Sequence, residues 1–349
     1  YGLAGNPNLK WEVTTQFDAG LESGLLNDRL SVEFDYYHKT TDSILIALST
    51  PGYFGNGQGG LITFNAGSVL NTGVEFSVGW RDQIGKVKYN IGVNGSTIHN
   101  EVIQVGGSSG VDSVLIGGAI GNGQTVTLSK KGFPIGAFYG YKTDGIFQNQ
   151  ADLDAYPHRS DAEIGFLKFV DVNGDGVIDD RDRTYLGSPI PTFIFGFNAG
   201  VELFGLDFSV NIQGQTGNTI FNVKEIVRPD KYNFESHVLN GWTSDGSTNT
   251  EPRPTWGGYN FLPSDKYVQD GSYLRIRSVV LGYSLPAELV KKILMTKIRV
   301  YLKAENLYTF TKYTGYSPEI SSGSPIYNGL DFGGYPVTSV YSVGININF

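Results

Sequence analysis

The sequence contains no cysteine, no long apolar run and no excess of positive charge, and each absence excludes a class of protein. Without cysteine there is neither a disulfide framework nor a thiolate metal site. No apolar run approaches the roughly 18 residues of a membrane-crossing helix. The net charge of −8, from 26 Lys and Arg against 34 Asp and Glu, argues against nucleic acid as a partner, because nucleic-acid binding requires a basic face.

Glycine and aromatic residues are abundant instead. Of 349 residues, 47 are glycine, 13% are aromatic and only 17% are charged. Glycine makes up about 7% of an average protein, so this chain has nearly twice the usual share. Such a composition favours turns, long loops and crowded sheet positions over helices.

The stretch 192–213 alternates between apolar and polar residues in two halves, joined by a short turn at Phe204 and Gly205. Its apolar face consists of Phe193, Phe195, Phe197, Ala199, Val201 and Leu203, then Leu206, Phe208, Val210 and Ile212. Period-two alternation is typical of strands, and so short a connection indicates a hairpin. Each strand alternates for about ten residues, the length that a tilted strand needs to cross a bilayer. The sequence therefore predicts a transmembrane β-hairpin.

The same pattern recurs along the chain, in segments near 12–22, 30–37, 74–80, 87–93, 273–285, 298–305 and 341–349. Carboxylates such as Glu22 and Glu33 fall on the polar face. A charged group on the lipid side of a barrel wall is strongly unfavourable, so the polar face must line the lumen. The segment 273–285 changes face near Ser278, which predicts a β-bulge.

The connections between these segments alternate in length. Short ones fall near 25–28, 83–86, 204–205 and 286–296, the last with room for one helical turn, and long ones near 39–70, 99–191, 214–271 and 307–337. Outer-membrane barrels have short periplasmic turns and long external loops. Parity makes 99–191 one external excursion, or one with an even number of further strands. The pattern predicts about nine wall strands, with eleven as the alternative, and therefore part of a barrel.

Several short motifs follow one another in a recognisable order. They are NPNLKWE at 6–12, YY at 36–37 with KTTD at 39–42, NTGVE at 71–75, GFPIGAFYGY at 132–141, DGIF at 144–147, DVNGDGVID at 171–179, YLRIR at 273–277, LGYSLP at 281–286 and ENLYTFTKYTGYSPE at 305–319. Together they resemble the SusC/RagA family of TonB-dependent transporters, over nearly the whole chain.

The resemblance implies an all-β fold: residues 1–349 as the C-terminal portion, about nine strands, of a 22-stranded antiparallel transmembrane β-barrel. We expect the plug domain and the first strands to be absent from this chain, whose first residues, Tyr1 and Gly2, do not resemble a natural start. The implied partners are the N-terminal plug and barrel portion, TonB through that portion, a SusD-like lipoprotein and outer-membrane lipid. The implied location is the outer membrane of a Gram-negative, Bacteroidetes-like bacterium.

One loop motif predicts site chemistry. Asp171, Asn173, Asp175, Val177, Asp179 and Asp182 occupy positions 1, 3, 5, 7, 9 and 12 of a calcium-type loop, with Gly176 at the sharp turn. Val177 would contribute its backbone carbonyl, and Ile178 would anchor the loop on apolar neighbours. We expect Ca²⁺ or Mg²⁺ there and no organic cofactor. The alternative is an Asx-rich turn whose carboxylates are solvated.

The remaining candidates are weaker. Trp256 and Tyr259, with Trp242 and Phe261, lie in a long external loop and either stack on a ligand or pack the loop on itself. The four histidines lack metal-ligand spacing and are expected at the surface. Catalysis is not predicted, because lumen-facing carboxylates are ordinary in a barrel wall. From the residues alone two functions stay open: nutrient transport, or a secreted or surface calcium-binding β-rich adhesin or carbohydrate-binding protein.

Overall fold

A computed structural model describes residues 6–49, 61–106, 114–227, 234–292 and 294–349. Within these ranges the chain is dominated by β-strands, and its α-helices have five or six residues each. No helix among the described residues has the length and apolar character needed to cross a membrane.

The strands are β1 (Val13–Leu25), β2 (Leu30–Ser49), β3 (Leu61–Ile84), β4 (Val87–Thr97), β5 (His99–Val105), β6 (Leu115–Ile120), β7 (Gln124–Ser129), β8 (Ala137–Gly140), β9 (Thr143–Ile146), β10 (Leu167–Phe169), β11 (Thr184–Gly187), β12 (Phe193–Leu203), β13 (Leu206–Thr216), β14 (Thr219–Phe221), β15 (Val268–Asp270), β16 (Tyr273–Ser284), β17 (Lys297–Thr311) and β18 (Val340–Asn348). The helices are α1 (Gln150–Ala155), α2 (Val223–Val227) and α3 (Ala287–Lys291). Single 3₁₀ turns occur at Asp180–Asp182, Ser236–Asn240, Tyr259–Phe261, Asp265–Tyr267 and Pro325–Tyr327.

Ten of these strands form one antiparallel sheet. β5 pairs only with residues 67–72 of β3, and the other nine strands form one continuous path, called the wall below. Its order is β1-β2-β3-β4-β12-β13-β16-β17-β18, so that neighbours in the sheet are also neighbours among the wall strands along the chain. The prediction of about nine wall strands is confirmed. Because β12 pairs directly with β4, no strand of the stretch 99–191 lies between these two. β5, which begins that stretch, extends the sheet along β3 instead.

Adjacent rows of paired residues in the wall, one step apart along each strand, lie on opposite faces. One row across all nine strands is apolar: Leu25, Leu30, Trp80, Ile91, Ala199, Val210, Val279, Ala304 and Tyr341. The adjacent row consists of Gly24, Ser31, Gly79, Gly92, Asn198, Asn211, Ser278, Glu305 and Val340, almost all small or polar. Side chains alternate between faces along a strand. The wall therefore has an apolar face and a polar face, as the alternation predicts.

The loop predicted at 39–70 is wrong over most of its length. β2 continues to Ser49 and β3 begins at Leu61, so the hairpin extends well past the end of the predicted strands. The register shifts between Asp42 and Leu45, where Ser43 has a positive φ of 58°. The polar run 38–43 hides the alternation that identifies a strand in the sequence, while the hydrogen-bonded ladder continues through it and past the irregularity.

The predicted bulge in β16 is confirmed. Against β13, Asn211 pairs with Ser278 and Ile212 with Ile276, so Arg277 is the extra residue of β16. Arg277 Nη1 donates a hydrogen bond to Asn306 Oδ1 at 2.6 Å, and Asn306 has a positive φ of 50°. The helical turn expected in 286–296 is α3.

Most of the buried core lies in the connections and not in the wall. One aromatic-rich cluster, here the first loop core, comprises Tyr141, Ile146, Phe147, Leu153, Phe166, Leu167, Phe169, Ile178 and Tyr259. A second loop core comprises Ile120, Val126, Phe138, Phe221, Val223, Ile226, Tyr267 and Leu330. Both join residues from several long connections, so these connections pack into folded structure beyond one end of the wall.

Candidate functional site

The polar face of the wall is built from asparagine side chains that lie across glycines of the next strand. A Cβ added to Gly92 would lie 2.6 Å from the Asn198 side chain, and one added to Gly196 would lie 2.4 Å from that of Asn94. A larger side chain at either position would therefore have to displace the asparagine amide. Glycine therefore allows amides to cover the backbone and gives this face a dense layer of hydrogen-bonding groups.

Carboxylates share this face, as predicted. Glu22 and Glu33 are directly opposite each other in the ladder between β1 and β2, and Asp35 is opposite Glu75 between β2 and β3. Like charges placed opposite each other are destabilising unless water screens them. A hydrated surface on this side of the sheet is the condition under which such a layout is stable.

Two arginines of the polar face form ion pairs. Asp207 and Arg299 lie beside neighbouring short turns of the wall, and Arg299 Nη2 is 2.5 Å from Asp207 Oδ2. Arg275, which is 2% exposed, is ion-paired with Glu319. Tyr273 Oη donates to the same carboxylate at 2.8 Å. This second pair ties the wall to the connection that follows β17.

The calcium-type loop at 171–182 adopts a tight turn around its first carboxylate. Asp171 Oδ1 accepts the N–H of Gly174 at 2.6 Å, and Oδ2 accepts that of Gly176 at 2.7 Å. These bonds, Gly176 first, hold the pKa of the Asp171 carboxyl below its usual range. Gly176 has a φ of 83°, a conformation that suits glycine, and this matches the sharp turn expected at position 6.

The later loop positions are engaged with the protein itself. Arg181 Nη2 lies 2.8 Å from carboxylate oxygens of both Asp175 and Asp179. Asp182 is fully buried and accepts the N–H groups of Val172 at 3.0 Å and Asp179 at 2.8 Å. Arg181 thus provides the positive charge that a cation would otherwise provide.

The fit to a cation is therefore partial. Asp171, Asn173, Asp175, the Val177 backbone and Asp179 are brought into one turn, but no three of the loop's carboxylates lie within 4.8 Å of one another in the described part of the chain. Ile178 is 3% exposed and belongs to the first loop core, as expected. The cation itself stays a prediction.

Three of the four loop aromatics singled out by the sequence pack within the protein. Trp242 Nε1 donates to Gln148 Oε1 at 3.0 Å, Tyr259 is 4% exposed in the first loop core, and Phe261 packs against the second. Trp256 differs, because 70% of its surface is exposed. A role of Trp256 and Tyr259 in substrate binding stays a prediction.

His237, one of the four histidines expected at the surface, has 37% of its side-chain surface exposed. Its Nδ1 is 3.2 Å from Glu251 Oε1, and this hydrogen bond raises the pKa of His237. Burial raises the pKa of Glu251, but hydrogen bonds from His237 and Lys266 outweigh it, so that the net shift is downward. His237 also comes within 4.8 Å of carboxylates of Glu225 and Glu235. The spacing of these four residues in the sequence matches no metal-ligand motif, so the sequence alone could not reveal the cluster.

Comparison with known proteins agrees with this architecture. Residues 1–156 match the model of the TonB dependent receptor-like β-barrel family. TonB-dependent receptor P26 of Formosa agariphila is 31% identical over 361 residues, covering 100% of this chain and 36% of the relative. TonB-dependent receptor SusC of Bacteroides thetaiotaomicron is 29% identical over 362 residues, covering 99% of this chain and 32% of the relative.

Solved structures give the same result. A chain of the RagAB peptide transporter superposes with a TM-score of 0.77 and 26% identity, covering 99% of this chain and 36% of that chain. The RagAB peptide importer in its closed-closed state gives a TM-score of 0.76 at 25% identity, covering 100% and 36%. The present chain spans about a third of the length of these relatives. With its antiparallel wall, its two-faced register and these matches, the chain belongs to the TonB-dependent receptor family of outer-membrane β-barrels, with SusC and RagA among its relatives.

Proposed function

We propose that this chain forms wall and external loops of an outer-membrane importer of oligomeric nutrients, either glycan or peptide. The observation that supports this most directly is the two-faced wall. Its apolar row suits lipid, and its layer of asparagine, glycine and carboxylate suits a water-filled passage. In a soluble β-sandwich the apolar faces of two sheets pack together, whereas the apolar face of this wall is exposed, with Val343 at 77% and Leu302 at 55%.

The proposal includes partners that relatives suggest. SusC and the RagAB transporter are names of similar proteins, and we infer by analogy that a SusD-like lipoprotein docks on the external loops. We also infer that a plug fills the barrel and contacts TonB, because a pore wide enough for an oligomer would otherwise leak. In this proposal the wall and the external loops bind and guide the substrate and perform no catalysis.

A bound cation at 171–182 is part of the proposal. Asp171, Asn173, Asp175, the Val177 carbonyl, Asp179 and Asp182 would hold Ca²⁺, or Mg²⁺, and stiffen the loop, since metal binding is linked to folding free energy. Its support is the turn at Gly176 and the burial of Ile178. Arg181 competes for the same carboxylates, so the Arg181→Ala protein should bind Ca²⁺ more tightly than the wild type.

Cell uptake tests the transport proposal. Cells that have this receptor as their only route should take up at least one labelled oligosaccharide or peptide pool, and uptake should stop when TonB is deleted. A tagged receptor should bring down a SusD-like lipoprotein. Uptake that continues without TonB would contradict the proposal and favour a passive porin.

Elemental analysis tests the cation. The double variant Asp171→Ala with Asp175→Ala should lose one equivalent of Ca²⁺ relative to the wild type and become more sensitive to protease near 171–182. Equal metal content and equal cleavage in both proteins would show that the turn is held by hydrogen bonds alone.

A further inference from the structure

Three side chains that can bind a metal meet beside the second loop core. One carboxylate oxygen of Glu225, one of Glu235 and one ring nitrogen of His237 all lie within 4.8 Å of one another. Glu225 belongs to α2, which packs on that core through Ile226, and the other two lie in or directly before the 3₁₀ turn Ser236–Asn240. In the described part of the chain this is the only such group of three His, Asp or Glu side chains.

Glu251 holds the His237 ring as a carboxylate holds a metal-binding histidine. His237 Nδ1 lies 3.2 Å from Glu251 Oε1, and Lys266 Nζ donates to the other oxygen of that carboxylate at 2.8 Å. A histidine that binds a metal through one ring nitrogen almost always donates the N–H of the other to a carboxylate, a carbonyl or water. The hydrogen bond to Glu251 therefore leaves Nε2 as the ring nitrogen that can bind a metal.

The carboxylate of Glu225 is also fixed. Its Oε1 accepts hydrogen bonds from Asn222 Nδ2 at 2.6 Å and from Gln269 Nε2 at 3.1 Å. Hydrogen bonds of this kind orient the carboxylates that bind metals. Both bonds go to one oxygen, so the other oxygen stays available to an ion.

The cluster lines a cavity that has room for an ion. The cavity has a volume of about 40 Å³, enough for a metal ion with a bound water and too small for an organic ligand. The side chains of Glu235 and His237 are 32% and 37% exposed, so an ion can enter from solvent. The ligand atoms of a tetrahedral zinc site lie about 3.3 Å apart, so the three side chains would approach one another by no more than about 1.5 Å.

The charged groups at the cavity do not cancel when His237 is neutral. Three carboxylates face two ammonium groups there, namely Glu225, Glu235 and Glu251 against Lys224 and Lys266. Arg253, which also lines the cavity, is ion-paired with Glu163. A divalent cation would provide the missing positive charge in place of a proton on His237. Lys224 is its competitor, because Lys224 Nζ lies 3.3 Å from Glu235 Oε1.

We propose that Glu225, Glu235 and His237 Nε2 bind one Zn²⁺, with water as the fourth ligand and Glu251 as a positioning residue. An imidazole nitrogen combined with carboxylate oxygens suits Zn²⁺, whereas Ca²⁺ and Mg²⁺ prefer six or more oxygen ligands. The ion would connect α2 to the 3₁₀ turn Ser236–Asn240. The site is separate from the calcium-type loop at 171–182 and does not depend on the proposed transport function.

Zinc binding to the full-length receptor, purified without a histidine tag and stripped with EDTA, tests the site. The wild type should bind one more equivalent of Zn²⁺ by calorimetry than His237→Ala or Glu235→Gln, each of which should weaken this binding by about a hundredfold or more. Glu251→Gln retains all three ligands and should weaken it by about 10- to 100-fold. It should also change the visible absorption spectrum of the Co²⁺-loaded protein. Lys224→Met, which removes the competing ammonium group, should strengthen zinc binding.

The matched control is His99→Ala. His99 Nε2 lies 3.4 Å from Glu101 Oε2, so this histidine has a carboxylate partner but no third ligand, and its removal should leave zinc binding unchanged. Native mobility on unheated gels confirms that each variant is folded. Equal zinc affinity and stoichiometry in the wild type, His237→Ala and Glu251→Gln would overturn the site, as would an equal loss in His99→Ala. Binding of Ca²⁺ but not Zn²⁺ through these residues would overturn the choice of metal.

Discussion

Placing arginine at two adjacent positions of β12 tests which face of the wall meets lipid. Phe197 lies in an apolar row, opposite Val93 and Ile212. Asn198, the next residue, lies in the polar row, opposite Gly92 and Asn211. A one-residue step in a strand moves the side chain to the other face. The two substitutions thus share chemistry and depth and differ only in what surrounds the new side chain.

The magnitude follows from the position of Phe197 in the strand. β12 has 11 residues, and a rise of about 3.3 Å per residue with a tilt of about 40° gives a span of about 28 Å across the membrane, close to the apolar band of about 25 Å. Phe197 is one residue from the centre of the strand. Arginine on the lipid face at the midplane is unfavourable by about 2–4 kcal/mol. Phe195 lies about 5 Å further out, so Phe195→Arg should have a smaller effect, and Asn198→Arg should change the free energy by less than about 1 kcal/mol.

The assay is reversible unfolding of the full-length receptor by guanidinium in phospholipid vesicles, with folded protein detected by its shifted mobility on unheated gels. Phe197→Arg should lower the free energy of unfolding and the yield of assembled protein, and Asn198→Arg should retain both. Equal losses for the two variants, or none for Phe197→Arg, would refute the assignment of faces.

Three further outcomes are expected. Gly95→Val should reduce assembly, because a Cβ at Gly95 would lie 2.8 Å from two phenylalanine rings, whereas Gly323→Val, with nothing within 4 Å, should be silent on the same gels. Asp182→Ala should destabilise the 171–182 turn by about 2 kcal/mol, since it leaves buried N–H groups unpaired; limited proteolysis measures this, and Asp182→Asn should recover part of it. The pKa of His237 is raised in the folded protein, so its contribution to stability is complete below its ordinary pKa of about 6.5 and is lost as pH rises through the higher folded value. Amide hydrogen exchange of residues 234–267, measured in EDTA and corrected for intrinsic rates, should therefore show less protection at high pH in the wild type. The His237→Gln protein should show little such change.

Much of the wall could be predicted because strand alternation is local. Each β-strand places successive side chains on opposite faces, so the period of two between Phe193 and Leu203 is visible without any knowledge of neighbours. The bulge near Ser278 was visible for the same reason, as a break in that period. The prediction began a loop at Lys39, within the polar run 38–43, although pairing with β3 continues to Ser49. Pairing is a long-range property and leaves no local signal.

The candidate sites were less predictable. The 171–182 loop was found from spacing, and its turn at Gly176 follows the motif, but nothing in the spacing shows that Arg181 pairs with Asp175 and Asp179. Tyr259 was singled out as an aromatic residue in a loop. That its ring is buried depends on Phe166 and Phe169, which are about ninety residues away in the sequence.

The sequence by itself determined the strand faces, the alternation of short and long connections and the family resemblance, because each depends on residues close together or in a fixed order. Only the tertiary structure decided how the long connections pack on one another. There, the side chain of His237 lies close to those of Glu225 and Glu251, and Asp161 and Trp256 line one cavity. These contacts result from hydrophobic burial in the loop cores, which rewards any arrangement that removes apolar surface from water and is not encoded by spacing.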